Sequence, residues 1–95
     1  MSSRIFTRMA AAAVALALSY VEARVVAALI GLARQDGVDD PDGRLIRLRP
    51  TQQEIANQIG ACRETVSRTV SDLVRRGLIT PRGRALVLAR SLYSA

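Results

Sequence analysis

Histidine, lysine and tryptophan are absent from this sequence of 95 residues, and Cys62 is its single cysteine. One cysteine excludes a disulfide within the chain, and the lack of histidine excludes a Cys/His zinc site and a Ser-His-Asp or Cys-His catalytic pair. A glycine-rich phosphate-binding loop is missing as well. The sequence therefore argues against an enzyme, and we expect no catalytic residue, metal or cofactor.

Long hydrophobic runs are also missing. The longest, Met9–Leu18, has about half of the ~20 residues that a helix needs to cross a bilayer, so no membrane helix is expected. Arg4 and Arg8 precede this run, a pattern that also fits a signal peptide, which is the alternative for this segment. A free thiol fits the reducing cytoplasm, which is the expected location.

Positive charge is concentrated near the C-terminus. The formal net charge is +6, and residues 61–95 carry seven arginines against Glu64 and Asp72, a net +5. Apolar residues make up 49% of the chain, which is normal for one globular domain. A basic surface on a folded domain indicates a polyanionic partner such as nucleic acid.

The first half of the chain contains two predicted helices. Residues 1–18 form the first, and Phe6, Met9, Ala13, Leu16 and Tyr20 have the spacing of a coiled-coil seam. Such a seam fits either a weak homodimer or a helix packed on its own domain. The capping-box pattern of residues 19–22 begins a second helix, which should stop near Gly37. A polar turn at 38–43 and a strand at 45–49 should follow.

The second half has the pattern of a helix-turn-helix. Residues 51–54 (TQQE) form another capping box, and Gly60 should end the short helix that it opens. A longer helix should cover about 63–76, followed by strands at 78–80 and 85–89 around a turn at 81–84, which we call the wing. The fold class is therefore mainly α with a small β-hairpin wing, a winged helix-turn-helix over residues 19–95.

The longer helix has an aliphatic inner face and a polar outer face. The predicted base-reading residues on the outer face are Arg63, Glu64, Ser67 and Arg68. Arginine forks onto the O6 and N7 atoms of guanine, and glutamate accepts from the N4 amino group of cytosine. An ordinary solvated helix face is the alternative, but the capped helix before it and the basic hairpin after it favour a recognition helix in the major groove.

Phosphate contacts are expected on both sides of this helix. Thr51 and Gln53 begin the supporting helix, where backbone amides and the helix dipole favour an anion, although Thr51 also acts as a cap. Arg82 and Arg84 in the wing are predicted clamps on the DNA backbone. A winged-helix protein-interaction module with only non-specific DNA affinity is the alternative function.

The stretch RPTQQEIANQIGACRETVSRTVSDLVRRGLITPRGRALVL resembles the DNA-binding domain of the Crp/Fnr family of transcription regulators, a likeness that extends over residues 19–95. The resemblance implies that Arg63, Glu64 and Arg68 read bases. It further implies a wing of Arg82, Gly83 and Arg84, and phosphate contacts from Thr51, Gln53, Cys62 and Thr65. Family members bind two-fold symmetric sites with a TGA core as dimers, so double-stranded DNA, a second copy of the chain and RNA polymerase are the expected partners.

The sequence also departs from the family pattern. Cys62 stands where serine is usual, and Thr69 occupies an inner position that is usually aliphatic. Cys62 is interpreted as a small stand-in for serine, with redox control as the alternative. The effector-binding β-barrel of the family has no counterpart before residue 19, so we expect no cyclic-nucleotide or iron–sulfur site here, and the chain to be either a piece of a longer protein or a stand-alone domain.

Overall fold

The computed structural model describes residues 20–93. Helix α1 covers residues 20–36 and leads into a hairpin of two short strands. A helix pair and a second hairpin follow, and a final helical turn closes the described part. After α1 the elements are β1 (Gly37–Asp40), β2 (Gly43–Ile46), α2 (Gln52–Ile59), α3 (Arg63–Arg75), β3 (Ile79–Arg82), β4 (Ala85–Ala89) and α4 (Arg90–Tyr93). The predicted winged helix-turn-helix is confirmed.

Both hairpins belong to one antiparallel sheet with the strand order β1-β2-β4-β3. The two inner strands, β2 and β4, pair along their length, with Gly43 opposite Ala89 and Ile46 opposite Leu86. At Gly43 the backbones approach so closely that a Cβ atom would lie 2.0 Å from the carbonyl oxygen of Leu88. The wing hairpin is therefore one half of a larger sheet.

One hydrophobic core lies between the helices and one face of the sheet. Its fully buried large side chains come from α1, α3, β3 and β4: Val25, Leu29, Val66, Leu73, Ile79 and Leu88. Helix α2 adds Ile55, Ala56 and Ile59, the three residues that its helical spacing predicts to face inward. Since α2 and α3 both pack into this core, their relative orientation is fixed by the interior of the domain.

The first hairpin differs from the sequence prediction. Residues 38–43 were expected to form a polar turn and 45–49 a strand, but residues 37–40 are strand β1 and β2 ends at Ile46. Aspartate is depleted in strands, so Asp39 and Asp40 suggested a turn. They are tolerated because β1 is an edge strand, where aspartate side chains can reach solvent or a cation on the sheet.

Arg44 on β2 holds this hairpin to the end of α1. Its Nε and Nη2 atoms donate to the carbonyl oxygens of Ala33 and Gly37, each at 3.0 Å. Its Nη1 atom donates to Asp39, the residue directly opposite in the register, also at 3.0 Å. The guanidinium thus bonds to one carbonyl group that the end of α1 leaves without a helical partner, at Ala33, and to one at the start of β1.

Some predictions lie outside the described residues. They are the helix at 1–18, the cap at Ser19, and the seam residues Phe6, Met9, Ala13 and Leu16. Tyr20, the last seam position, is exposed on α1 and its ring lies 5.5 Å from the guanidinium of Arg24. Among residues 20–93, no helix combines the length and apolar character needed to cross a membrane.

Candidate nucleic-acid interface

The N-terminus of α2 is held by the predicted capping box. The Oγ1 atom of Thr51 accepts from the backbone N–H of Glu54 at 3.0 Å, and the Glu54 carboxylate accepts from the Thr51 N–H at 3.5 Å. The hydroxyl hydrogen of Thr51 remains able to donate, and Thr51 is exposed. Gln53, also exposed, donates to the Asn57 side chain at 2.9 Å. This end of α2 therefore presents polar donors and the positive end of the helix dipole to solvent.

Gly60 makes the turn between the two helices. Its backbone is left-handed, with φ of 71°, and its N–H bonds to the carbonyl oxygen of Ala56. Cys62 follows as the N-cap of α3, and it is exposed and makes no side-chain capping bond. The turn thus leaves the start of α3 exposed at Cys62, while Ala56 on α2 is buried in the core.

Helix α3 presents its predicted base-reading side chains to solvent. Arg63, Glu64 and Arg68 are exposed, and Thr65 and Ser67 are half-buried beside them. Within the described part of the chain, none of the three charged residues takes part in an ion pair. The opposite face carries Val66, Thr69 and Leu73 into the core. The charged groups are therefore available to a ligand.

Thr69 is buried, but its hydroxyl has a partner. The Oγ1 atom donates to the carbonyl oxygen of Thr65 at 2.8 Å, one helical turn earlier. Among residues 20–93, no buried polar side-chain atom lacks a hydrogen-bond partner. The polar residue at an inner position of α3 is thus accommodated within the helix itself.

Ion pairs surround the C-terminal end of α3, and one of them reaches α1. Asp72 bonds to Arg75 and to Arg76, with 3.1 Å between its Oδ2 atom and the Nε atom of Arg76. Arg76 also contacts Glu22 on α1. These two arginines have carboxylate partners, unlike those in the first half of α3.

The turn of the wing is shorter than the predicted 81–84. It consists of Gly83 and Arg84, because Pro81 and Arg82 belong to β3. Gly83 has a φ of 63°, which suits a tight hairpin. Arg84 is exposed, and no ion pair to it occurs among residues 20–93. Its carbonyl oxygen accepts from the backbone N–H of Arg49 at 2.8 Å. This bond places Arg49, whose role no sequence motif indicates, next to the wing.

Arg82 differs from Arg84 because it has acidic partners. Its Nη1 atom lies 3.1 Å from Asp40 and its Nη2 atom 3.2 Å from Asp42, both in the first hairpin. The predicted clamp on DNA at Arg82 therefore has its guanidinium engaged within the protein. No sequence pattern indicates these partners, because Asp40 lies 42 residues away from Arg82.

A groove of about 550 Å³ separates the second half of α3 from the wing. Of the predicted interface residues only Thr51 borders it, and most of the other bordering residues come from the same elements. The bordering residues include Arg49 and Thr51 at the start of α2, Ser71 and Val74 on α3, and Pro81 on β3. The structure thus brings the start of α2, the exposed edge of α3 and the wing hairpin around one surface depression.

Comparison with known proteins gives one family. The model of the Crp-like helix-turn-helix domain matches residues 23–91. The chain is 38% identical over 74 residues to the cAMP-activated global transcriptional regulator CRP of Salmonella typhimurium, which covers 77% of this chain and 34% of the relative. It is 34% identical over 71 residues to the CRP-like cAMP-activated global transcriptional regulator of Mycobacterium tuberculosis, covering 75% and 32%.

A solved structure shows the same arrangement. The CO-dependent transcription factor CooA from Carboxydothermus hydrogenoformans superposes with a TM-score of 0.69 at 28% identity. The likeness covers 83% of this chain and 36% of that protein. This chain spans about a third of the length of the curated relatives that it matches. The relatives share its winged helix-turn-helix part.

Proposed function

This chain belongs to the family of Crp-like helix-turn-helix domains, and from that premise we propose that it binds double-stranded DNA as the DNA-binding part of a transcription regulator. One observation carries the proposal. The outer face of α3 bears Arg63, Glu64 and Arg68, exposed and without ion-pair partners among residues 20–93. The capped α2 braces this helix on one side, and the groove and the wing border it on the other.

In the proposed complex α3 lies in the major groove. Arg63 and Arg68 donate to guanine O6 and N7, and Glu64 accepts from cytosine N4. Ser67, half-buried between them, is the smaller base contact on this face. Because the inner face of α3 is anchored in the core, these side chains keep a fixed spacing.

The proposed phosphate contacts surround α3. Thr51 and Gln53 offer donors at the start of α2, and the helix dipole there favours an anion. The others lie at the start of α3 and in the wing: Cys62, Thr65, Gly83 and Arg84. Arg82 joins them only after it leaves Asp40 and Asp42. Such contacts set affinity and position without selecting a sequence.

The finer parts of the proposal concern the whole regulator. We expect a two-fold symmetric site with a TGA core, bound by two copies of the chain in the cytoplasm, with RNA polymerase as a further partner. Two-fold operators mirror the symmetry of a dimer, with half-sites spaced by about one helical turn of ~34–36 Å. A weak homodimer through the predicted seam at residues 6–20 fits this requirement.

Selection of bound duplexes from a random DNA pool tests the proposal. We expect one sequence class to be enriched, with a Kd between about 1 nM and 1 µM, the range of sequence-specific to weak binding. Fluorescence anisotropy then compares the selected duplex with a scrambled one of the same composition. Equal and weak binding of both duplexes would instead support a protein-interaction module with only non-specific DNA affinity.

A further inference from the structure

We propose that Arg49 and Arg84 form a phosphate clamp beside α3, and that Asp40 and Asp42 withhold Arg82 from the DNA. The proposal rests on the proposed function, because it names the residues that hold the DNA backbone next to the recognition helix. It adds Arg49 to the interface and assigns Arg82 to the protein's own sheet.

The backbone contact between the two clamp residues fixes their positions. The N–H of Arg49 donates to the carbonyl oxygen of Arg84 at 2.8 Å, so their Cα atoms are close neighbours. Both residues are exposed, and neither makes an ion pair within residues 20–93. Two unpaired guanidinium groups that start from adjacent backbone positions can bind the same phosphate or consecutive ones.

Arg49 also lies where a DNA strand must pass. It is two residues before Thr51, the N-cap of α2, and both border the groove between α3 and the wing. Pro81 borders the groove from the wing side and Ser71 from α3. A duplex whose major groove receives α3 presents its sugar-phosphate backbone to the surfaces on either side of that helix. Arg49 therefore lies between two proposed phosphate contacts, at Thr51 and Arg84.

The sheet register explains why Arg82 is withheld. Arg82 pairs with Ala85, Thr80 with Val87, and Asp40 with Gly43. Because residues alternate between the faces of a strand, Arg82, Val87 and Asp40 lie on the same face of the sheet. The Arg82 side chain bonds across this face to Asp40 at 3.1 Å and to Asp42 at 3.2 Å. Val87, on the same face, is 3% exposed although it lies outside the main core cluster.

Two carboxylates compete with phosphate for one guanidinium. The Asp40 side chain is only 13% exposed, and besides Arg82 its Oδ2 atom accepts from the backbone N–H of Asp42 at 3.1 Å. A phosphate that drew Arg82 away would remove the one ion-pair partner that this carboxylate has within residues 20–93. Arg84 and Arg49 carry no such penalty, because neither leaves a carboxylate behind.

The test measures the logarithm of the DNA association constant against the logarithm of salt concentration, using the duplex selected above. Each phosphate contact contributes about 0.9 to the slope. We expect Arg49→Ala to make the slope shallower by about one. Between 50 and 200 mM salt the association constant of this variant should therefore fall by a factor roughly three times smaller than that of the wild type. Arg34→Ala, which removes an exposed arginine on α1, is the control for the loss of one positive charge. Arg82→Ala should have the same slope as this control.

The carboxylate arm uses the double variant Asp40→Asn/Asp42→Asn. We expect its slope to rise by about one, since Arg82 becomes free to bind a phosphate. Adding Arg82→Ala to this variant should remove the gain. Asp36→Asn, an exposed residue at the end of α1, controls for the general effect of removing negative charge. Circular dichroism melting of each variant verifies that it is folded.

The outcomes separate the clamp from the proposed function. A loss of slope in Arg82→Ala equal to that in Arg49→Ala would overturn the clamp, as would a gain in Asp40→Asn/Asp42→Asn that persists without Arg82. Binding of the wild type with unchanged slopes in all variants rejects the clamp alone. Absence of duplex binding by the folded wild type rejects the proposed function and the clamp with it.

Discussion

The side chains of α3 are of two kinds: some pack in the core, and others are exposed to solvent. Val66 and Leu73 are fully buried, whereas Arg63 and Arg68 are exposed and have no carboxylate partner within residues 20–93. Arg75 and Arg76, later on the same helix, are paired with Asp72. Charge alone therefore does not identify an interface residue; the presence or absence of an internal partner distinguishes these arginines.

The arginines proposed to read bases and those proposed to bind phosphates should respond differently to removal. We expect Arg63→Ala or Arg68→Ala to cost ~1–3 kcal/mol of binding free energy and to relax base preference, whereas Arg84→Ala should weaken all duplexes alike. Anisotropy titrations with the selected duplex and with single-base variants of it measure both effects. If all three variants lost the same affinity on every duplex, the assignment of base readout to α3 would be incorrect.

Thr69 offers a test of stability at the residue scale. Its hydroxyl donates to the Thr65 carbonyl oxygen, which is also the backbone hydrogen-bond acceptor at that turn of the helix. Such side-chain bonds slightly destabilise a helix. We therefore expect Thr69→Val to raise the free energy of unfolding by up to ~1 kcal/mol, since a methyl group replaces a buried hydroxyl of the same size. Thr69→Ala, which leaves a cavity, should lower it by ~1 kcal/mol. Urea denaturation measures both, and destabilisation by valine would contradict this account.

At the scale of elements, short local contacts define where each helix and strand stops. The capping box begins α2 and a left-handed Gly60 ends it. The guanidinium of Arg44 plays a similar part at the end of α1, but it comes from a strand. The first two signals are local in sequence. The third arises from residues eleven positions apart, at Ala33 and Arg44.

Arg44 should matter more for stability than other exposed or partly exposed arginines. Its side chain is 31% exposed and donates to two backbone carbonyls and one carboxylate. We expect Arg44→Met to lower the free energy of unfolding by about 2 kcal/mol, because hydrogen bonds from a charged group are lost. Arg47→Met, at an exposed neighbouring position, should change it by less than ~0.5 kcal/mol. Equal effects in thermal denaturation would refute the role of Arg44.

Two glycines should differ in their tolerance of alanine. Gly60→Ala should cost ~1–2 kcal/mol, because the backbone is left-handed but a Cβ atom there meets nothing within 4 Å. Gly43→Ala should cost ~3 kcal/mol or more, because overpacking against the Leu88 carbonyl and backbone strain each contribute ~1–3 kcal/mol. Chemical denaturation ranks the two variants, and the reverse order would show that the β2–β4 contact is loose.

For the whole molecule, charge distribution matters more than net charge. The chain carries a formal +6, yet Asp40 and Asp42 neutralise one wing arginine and Asp72 contacts two arginines at the end of α3. The exposed arginines that make no ion pair within residues 20–93 are Arg24, Arg34, Arg47, Arg49, Arg63, Arg68, Arg84 and Arg90. Internal pairing thus removes Arg75, Arg76 and Arg82 from the charge that is free to meet a polyanion.

Dimerisation is the prediction at this scale. The seam at Phe6, Met9, Ala13 and Leu16, which lies outside the described residues, predicts a weak homodimer. Sedimentation equilibrium should show dimer formation at high protein concentration, and Leu16→Glu should leave only monomer because a charge at the seam is desolvated. A wild-type chain that stays monomeric at the highest concentration would rule out this seam.

The sequence by itself determined the helix-turn-helix and its outward face. Caps, turn glycines and helical periodicity are local patterns. The sequence alone therefore predicts the cap at Thr51, the turn at Gly60 and the opposite faces of α3 that carry Val66 and Arg68. The same local patterns located the wing hairpin, although they assigned Pro81 and Arg82 to its turn instead of to β3.

Only the tertiary structure decided which charges remain free. The strand at 37–40, the pairing of Arg82 with Asp40 and the contact of Arg49 with Arg84 all depend on the register of the four-stranded sheet. Register joins residues about forty positions apart, and it is set by packing of the whole core, which no local pattern encodes. The proposed interface was therefore visible in the sequence as a helix face, but its proposed phosphate-binding edge follows from the fold.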